Sequence, residues 1–219
     1  MSQRFLFTVL LPLVIIPCWT RAEHLPKDTI GYNSLIYNGT EFLKQFNQSK
    51  GNPFFSTETN KGKIKYQDNW YDNIELLYDC EDDAVITRDA QGLLKLRLIK
   101  EKTEAFFIDG HEFVKLKLVS SSGEFYEQLY KGSRTLLVQW RKHLELDAQE
   151  MPKYELRRVI FVLDKDQIIT LEGSKDLFNL SPQHYRELKR IYAENKLNFK
   201  KDALKASKIL IQKMEEKNW

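Results

Sequence analysis

Cysteine is almost missing from this chain: Cys18 and Cys80 are the only two among 219 residues. Cys18 lies in an N-terminal leader, so Cys80 stands alone in the exported product and no internal disulfide can form. The fold must then rest on its core, even in an oxidising compartment. Glycine and proline are scarce, at nine and six residues, which excludes collagen-like and low-complexity chains. The four histidines, His24, His111, His143 and His184, are far apart, and none has a second metal ligand at helical or hairpin spacing. There is no H-E-x-x-H, paired C-x-x-C, G-x-S-x-G, phosphate-binding loop or G-x-G-x-x-G. These absences argue for a non-catalytic protein with neither cofactor nor metal. An envelope hydrolase with scattered catalytic residues is the alternative.

What is present begins with an address. Met1–Arg4 is short and basic, Phe5–Ile16 is apolar apart from Thr8 and Pro12, and Thr20-Arg21-Ala22 puts small residues at −3 and −1. This is the pattern of a secretory signal peptide cleaved after Ala22. The run is shorter than the ~20 apolar residues a spanning helix needs, and no later stretch approaches that length. An uncleaved anchor, or lipidation at Cys18 behind the unfavourable Pro17, are the competing readings of the leader. Either would tether the chain to a membrane. The expected location is a bacterial periplasm or an envelope membrane face.

Charge is unevenly spread. Residues 181–219 carry ten Lys and Arg against five Asp and Glu, while residues 23–180 sum to −4. The basic tail suits internal complementarity with the acidic body, or contact with an anionic surface such as lipid headgroups. Export and the mixing of lysines with acids exclude a nucleic-acid role.

The chain divides into a signal peptide (1–22), an irregular lead-in (23–60), an antiparallel β domain (61–180) and a helical pair packed on it (181–219). In the lead-in only Thr40–Phe46 has helical spacing, and Asn38-Gly39-Thr40 and Asn47-Gln48-Ser49 match glycosylation sequons. From Lys61 to Glu172, short alternating segments separated by turn residues predict nine or ten strands. They include 63–66, 74–78, 84–88, 93–99, 104–108, 112–119, 124–130, 135–140, 155–163 and 167–171. Asp109-Gly110 is a strong hairpin signal, since a type I′ turn needs positive φ at both central positions. Residues 143–153 are polar, contain Pro152 and read as a loop. The fold class is mainly β with C-terminal α: an antiparallel sandwich, half-barrel or barrel capped by a helical pair. Ser181 and Pro182 are expected to open the first helix, with Tyr185, Leu188, Ile191 and Tyr192 inward. The second spans about Lys201–Lys217, with Ala203, Ser207, Leu210 and Met214 on one stripe.

Four features are candidates for function. Trp70-Tyr71 lies beside a turn among polar neighbours, where an aromatic pair can stack on a sugar or grip an apolar chain. Lys201, Lys205, Lys208 and Lys213 line the basic helix and suit a protein partner or an anionic surface. Asp79–Asp83 is the densest acidic cluster, read as a solvated turn in preference to a calcium loop. Cys80 reads as a buried apolar residue, a pair with His111 across the sheet being the alternative.

Gly123-Glu124-Phe125-Tyr126-Glu127-Gln128-Leu129-Tyr130-Lys131-Gly132 resembles a family of exported Gram-negative envelope proteins with no assigned function. Asn52-Pro53-Phe54-Phe55, Leu76-Leu77-Tyr78-Asp79 and Asn195–Lys201 are similar to the same group. The resemblance covers most of residues 39–215. It implies export and a β-rich body with terminal helices, and it brings no catalytic residues. The expectation is an exported, non-catalytic envelope protein that binds an apolar or carbohydrate ligand, or acts as an accessory module for an envelope protein.

Overall fold

The computed structural model describes residues 34–45, 48–118, 123–165 and 167–219. The expected signal peptide, Cys18, His24 and Asn47 of the second sequon lie outside the described residues. Eleven strands form one antiparallel sheet: β1 (Thr40–Glu41), β2 (Asn60–Tyr66), β3 (Asn69–Asp79), β4 (Ala84–Arg88), β5 (Lys95–Arg97), β6 (Thr103–Ile108), β7 (His111–Leu116), β8 (Glu124–Lys131), β9 (Arg134–Leu146), β10 (Pro152–Asp164) and β11 (Gln167–Leu171). Three helices follow, α1 (Ser174–Asn179), α2 (Tyr185–Glu194) and α3 (Ala203–Glu216). Strand order is β1-β5-β4-β3-β2-β6-β7-β8-β9-β10-β11, so the expected mainly-β class with C-terminal helices holds and the sheet is not closed.

The sheet curls strongly. The turn between β3 and β4 reaches across to β8 and β9, although three strands (β2, β6 and β7) separate β3 from β8 in the sheet. Cys80 O accepts from Lys142 N at 3.3 Å, and Asp83 meets the Phe125 N–H and the Arg141 guanidinium. Inside the curl, alternate residues of successive strands deliver an aromatic core. Tyr78, Phe106, Phe113 and Phe125 are buried with ring centroids 4.7–6.1 Å apart. Leu210, Ile211 and Met214 of α3 close one side of the same core.

Four local expectations need correction. The described part of the expected Thr40–Phe46 helix, residues 40–45, is not helical: Thr40 and Glu41 pair with Arg97 and Leu96 as an edge strand. Residues 143–153 are mostly strand, because β9 and β10 stay in register out to Leu146↔Pro152. Only Asp147–Met151 turns the chain, with Asp147 Oδ1 accepting from the Gln149 and Met151 amides. Pro152 is tolerated because its missing N–H would face away from β9. A further helix, α1, lies within the stretch expected to be β, its Asp176 carboxylate capping the Gly173 amide at 2.9 Å. Finally, the Ser181 hydroxyl contacts His184 Nδ1 instead of capping a backbone amide, and Pro182–His184 forms a 3₁₀ turn ahead of α2.

Cys80 is fully buried, as expected of a small core residue. Burial pushes its thiol up to about 12 from 9.0. A folded value above the unfolded one means the associated stability is complete below pH 9.0 and is lost as pH rises toward 12. Thiol reagents at pH 8 should therefore label the native protein no faster than it opens, and labelling should become rapid in denaturant. Rapid labelling without denaturant would contradict this burial.

Candidate functional site

The β9–β10 hairpin runs thirteen residues on each strand. Strand periodicity sends Leu136, Val138 and Trp140 into the core, and on the facing strand Ile160 and Val162. The same parity continues past the core edge. Lys142, Leu144 and Leu146 of β9 lie opposite Leu156, Tyr154 and Pro152 of β10, all on the inner face. Nothing in the described fold covers this stretch fully: Leu146 is 70 % exposed, Leu144 and Leu156 are each 49 % and Met151 at the turn is 46 %. Three leucines exposed on one hairpin face, with Met151 exposed at the turn, are the kind of apolar grouping that marks an interaction surface. The outer face of the same segment is polar, with His143↔Glu155, Glu145↔Lys153 and Arg141↔Arg157 paired across it, and Arg157 bonded to Glu145.

The hairpin is tied to other parts of the fold at several points. Lys142 Nζ donates to the carbonyls of Asn52 and Phe54, which ties the lead-in to β9. Tyr154 OH donates to Glu81 at 3.1 Å, and Lys50 pairs with β10 by backbone bonds to Pro152 O and from Tyr154 N. At the tip Lys50 holds Asp147 in an ion pair, which with the Met151 amide lowers that carboxyl to about 2. The patch is thus a preformed surface on an anchored strand pair.

The sequence-predicted residues are placed differently from one another. Trp70 and Tyr71 do not form a pair, since neighbours in a strand face opposite ways. Tyr71 packs against the main core. Trp70 is 45 % exposed on the outer face, 6.2 Å from the Phe107 ring, with Lys63 Nζ 4.9 Å above it. Phe107, its true neighbour, was findable only from the β2–β6 register. Lys201 and Lys205 meet at a recess of about 180 Å³ between α2 and α3, which Lys196, Asn198 and the capping Asp202 share. Lys208 is exposed one turn further on, whereas Lys213 is paired with Glu216 at 2.5 Å.

The other chemistry-bearing groups are occupied by one another. Asp79, Glu81 and Asp82 converge closely enough for a cation, but Lys44 sits among them at 2.8, 2.7 and 3.2 Å. Burial opposes the Lys44 charge, and its bonds to Asp79 and Glu81 outweigh that cost and hold the ammonium above the usual lysine range. The turn is therefore closed by an internal cation. His111 meets the buried Glu127 at 2.5 Å and the edge of Phe55, while Glu127 also accepts from Trp140 Nε1 at 2.6 Å. Cys80 is not among the partners of His111, so the alternative pairing of those two finds no support.

Nothing among family models, curated proteins or solved structures matches this chain. No helix among the described residues is long and apolar enough to cross a membrane.

Proposed function

We propose that this chain is an exported, non-catalytic envelope protein that docks a polypeptide partner on the inner face of its β9–β10 hairpin. The observation that carries the reading is the set of exposed leucines Leu144, Leu146 and Leu156 on the inner face, with Met151 at the turn, on a hairpin tied to the rest of the fold by Lys142, Tyr154 and Lys50. A protein spends solubility on such a patch when a partner covers it. The buried carboxylates support the same side of the choice between binding and hydrolysis. Asp79 faces Lys44, Asp83 faces Lys100 and Arg141, and Glu127 faces His111 and Trp140. Each is consumed in holding the fold, and catalytic carboxylates instead converge on a cleft.

A photo-crosslinking side chain at position 144 or 146 of the intact protein, expressed in its own host, tests the proposal. A discrete protein adduct is expected from both positions and none from position 165, on the turn between β10 and β11. Adducts of equal intensity from all three, or from none, would reject docking at this face.

Trp70 supports a second, carbohydrate-directed reading, because Trp70 and Phe107 present adjoining rings with Lys63 and Asp72 at their margin. Lys63 already lies over the Trp70 ring, so a sugar must displace it, and the hairpin face is the stronger candidate.

A further inference from the structure

The patch borders a length of strand edge that no described residue fills. Lys50 uses Pro152 O and Tyr154 N, which fixes the parity: even-numbered residues of β10 direct their backbone groups away from β9. β11 takes up this edge again only at Ile160↔Leu171. Between these two, the N–H and C=O groups of Leu156 and Arg158 point outward, and no partner for them exists among the described residues. Open edges of this sort recruit extended chains, and proteins ordinarily cover or pair them.

We propose that the β10 edge at Leu156 and Arg158 takes a short extended acidic segment of the partner by strand addition, filling the sheet between Lys50 and Leu171. This rests on the docking reading above and specifies its geometry. The gap from Tyr154 to Ile160 is six residue steps, about 20 Å at strand spacing, enough for a strand of a few residues. A second copy of β10 does not fit. That strand is thirteen residues long, and its ends would run into Lys50 and Leu171, which occupy the same row.

Charge selects the acidic segment. Lys153 beside the gap and Arg158 within it have no ion-pair partners among the described residues, Arg157 lies between them, and Glu155 is the one acid on this stretch. A partner residue opposite Arg158 shares its inner face and is matched by a carboxylate. The residue opposite Leu156 extends the apolar patch of Leu144 and Leu146 and is matched by an aliphatic side chain. An antiparallel segment therefore reads acid, any residue, aliphatic.

Amide hydrogen exchange on the intact protein tests this, using a synthetic peptide with a central Glu-Thr-Leu flanked by threonines, and a control carrying Lys in place of Glu. Saturation with the acidic peptide is expected to slow exchange at the Leu156 and Arg158 amides at least tenfold. The Tyr154 amide, already bonded to Lys50, is expected to be slow throughout. Arg158→Glu should weaken that peptide roughly tenfold by setting like charges together, with the Tm of the protein unchanged. If the methyls of Leu144 and Leu146 respond while both amides keep exchanging freely, strand addition is overturned and docking on the apolar face stands. Equal binding of the Lys-bearing control overturns the acidic selection. Failure of both peptides to bind overturns this proposal alone, since the crosslink decides the docking reading separately.

Discussion

Arg141→Ala is expected to lower the unfolding free energy by about 2–4 kcal/mol, since Asp83 and Glu124 each lose a charge-assisted partner and the two losses do not add. Asp83 is nearly inaccessible, and Arg141 Nη1 lies 3.0 Å from it while Nη2 lies 2.7 Å from Glu124. Tyr78 OH donates to Asp83 at 2.6 Å, and Lys100 pairs with it at 2.6 Å. Burial, followed by the Asp83 charge, raises the Tyr78 hydroxyl well above its usual range, so it remains a donor at any ordinary pH. Arg141 thereby joins β9 to both the β3–β4 turn and the start of β8, the place where the curled sheet comes nearest to meeting itself. For a domain of this size the loss amounts to a fall in Tm of roughly 10 °C. Denaturant titration of the variant measures it. Adding Asp83→Asn to Arg141→Ala should cost less than the two single losses summed, because both residues belong to one network. A loss under about 1 kcal/mol in Arg141→Ala would mean that the seam bears no load.

Arg134→Ala should release the end of the C-terminal helical layer. The guanidinium bonds Asp164 at 2.7 Å, Trp219 O at 2.7 Å and Leu180 O at 3.3 Å. It thus gathers β10, the segment after α1 and the residues beyond α3 at one point. Glu215 reinforces the junction by accepting from the Arg134 amide at 2.9 Å and from the Ser133 hydroxyl. Its carboxyl is lowered chiefly by the Ser133 bond, so this contribution is present above the usual Glu range and fades as pH falls below it. Trp219 stacks on His184 with ring centroids 4.3 Å apart at the same junction. Charge-assisted hydrogen bonds are worth about 1.5–3 kcal/mol each and do not add, so a total of about 2–4 kcal/mol is expected. Limited proteolysis should cut the variant after Met214 while leaving β2–β11 intact. An unchanged cleavage pattern would show that the buried Leu210, Ile211 and Met214 hold α3 unaided.

Much of the sheet was legible because the pattern that marks it is local. Alternation set out 84–88 and 167–171 to the residue, and Asp109-Gly110 announced the β6–β7 hairpin, where both residues have positive φ. The helix after Lys201 was equally plain, with Asp202 accepting from the Lys205 amide as its cap. The site was legible only in part. Leu144, Leu146 and Tyr154 do alternate with His143, Glu145, Lys153 and Glu155, but the turn chemistry of Asp147–Met151 and the proline behind it outweighed that alternation. Trp70 and Tyr71 were grouped by adjacency, although strand periodicity separates them. The remaining determinants are long-range. Lys50 meeting Tyr154, Lys44 entering the Asp79 turn and Arg141 reaching Asp83 span dozens of residues and follow from the curl of the sheet, which no short window of sequence encodes.

The central claim, that the inner hairpin face is a docking surface, is tested most directly by native mass spectrometry of protein purified gently from its own host, wild type beside the double variant Leu144→Ser, Leu156→Ser. Both side chains are half exposed, so the variant should keep its Tm within about 2 °C. The wild type is expected to carry a bound polypeptide and the variant to be bare. A variant that retains the same partner in the same proportion would contradict the claim.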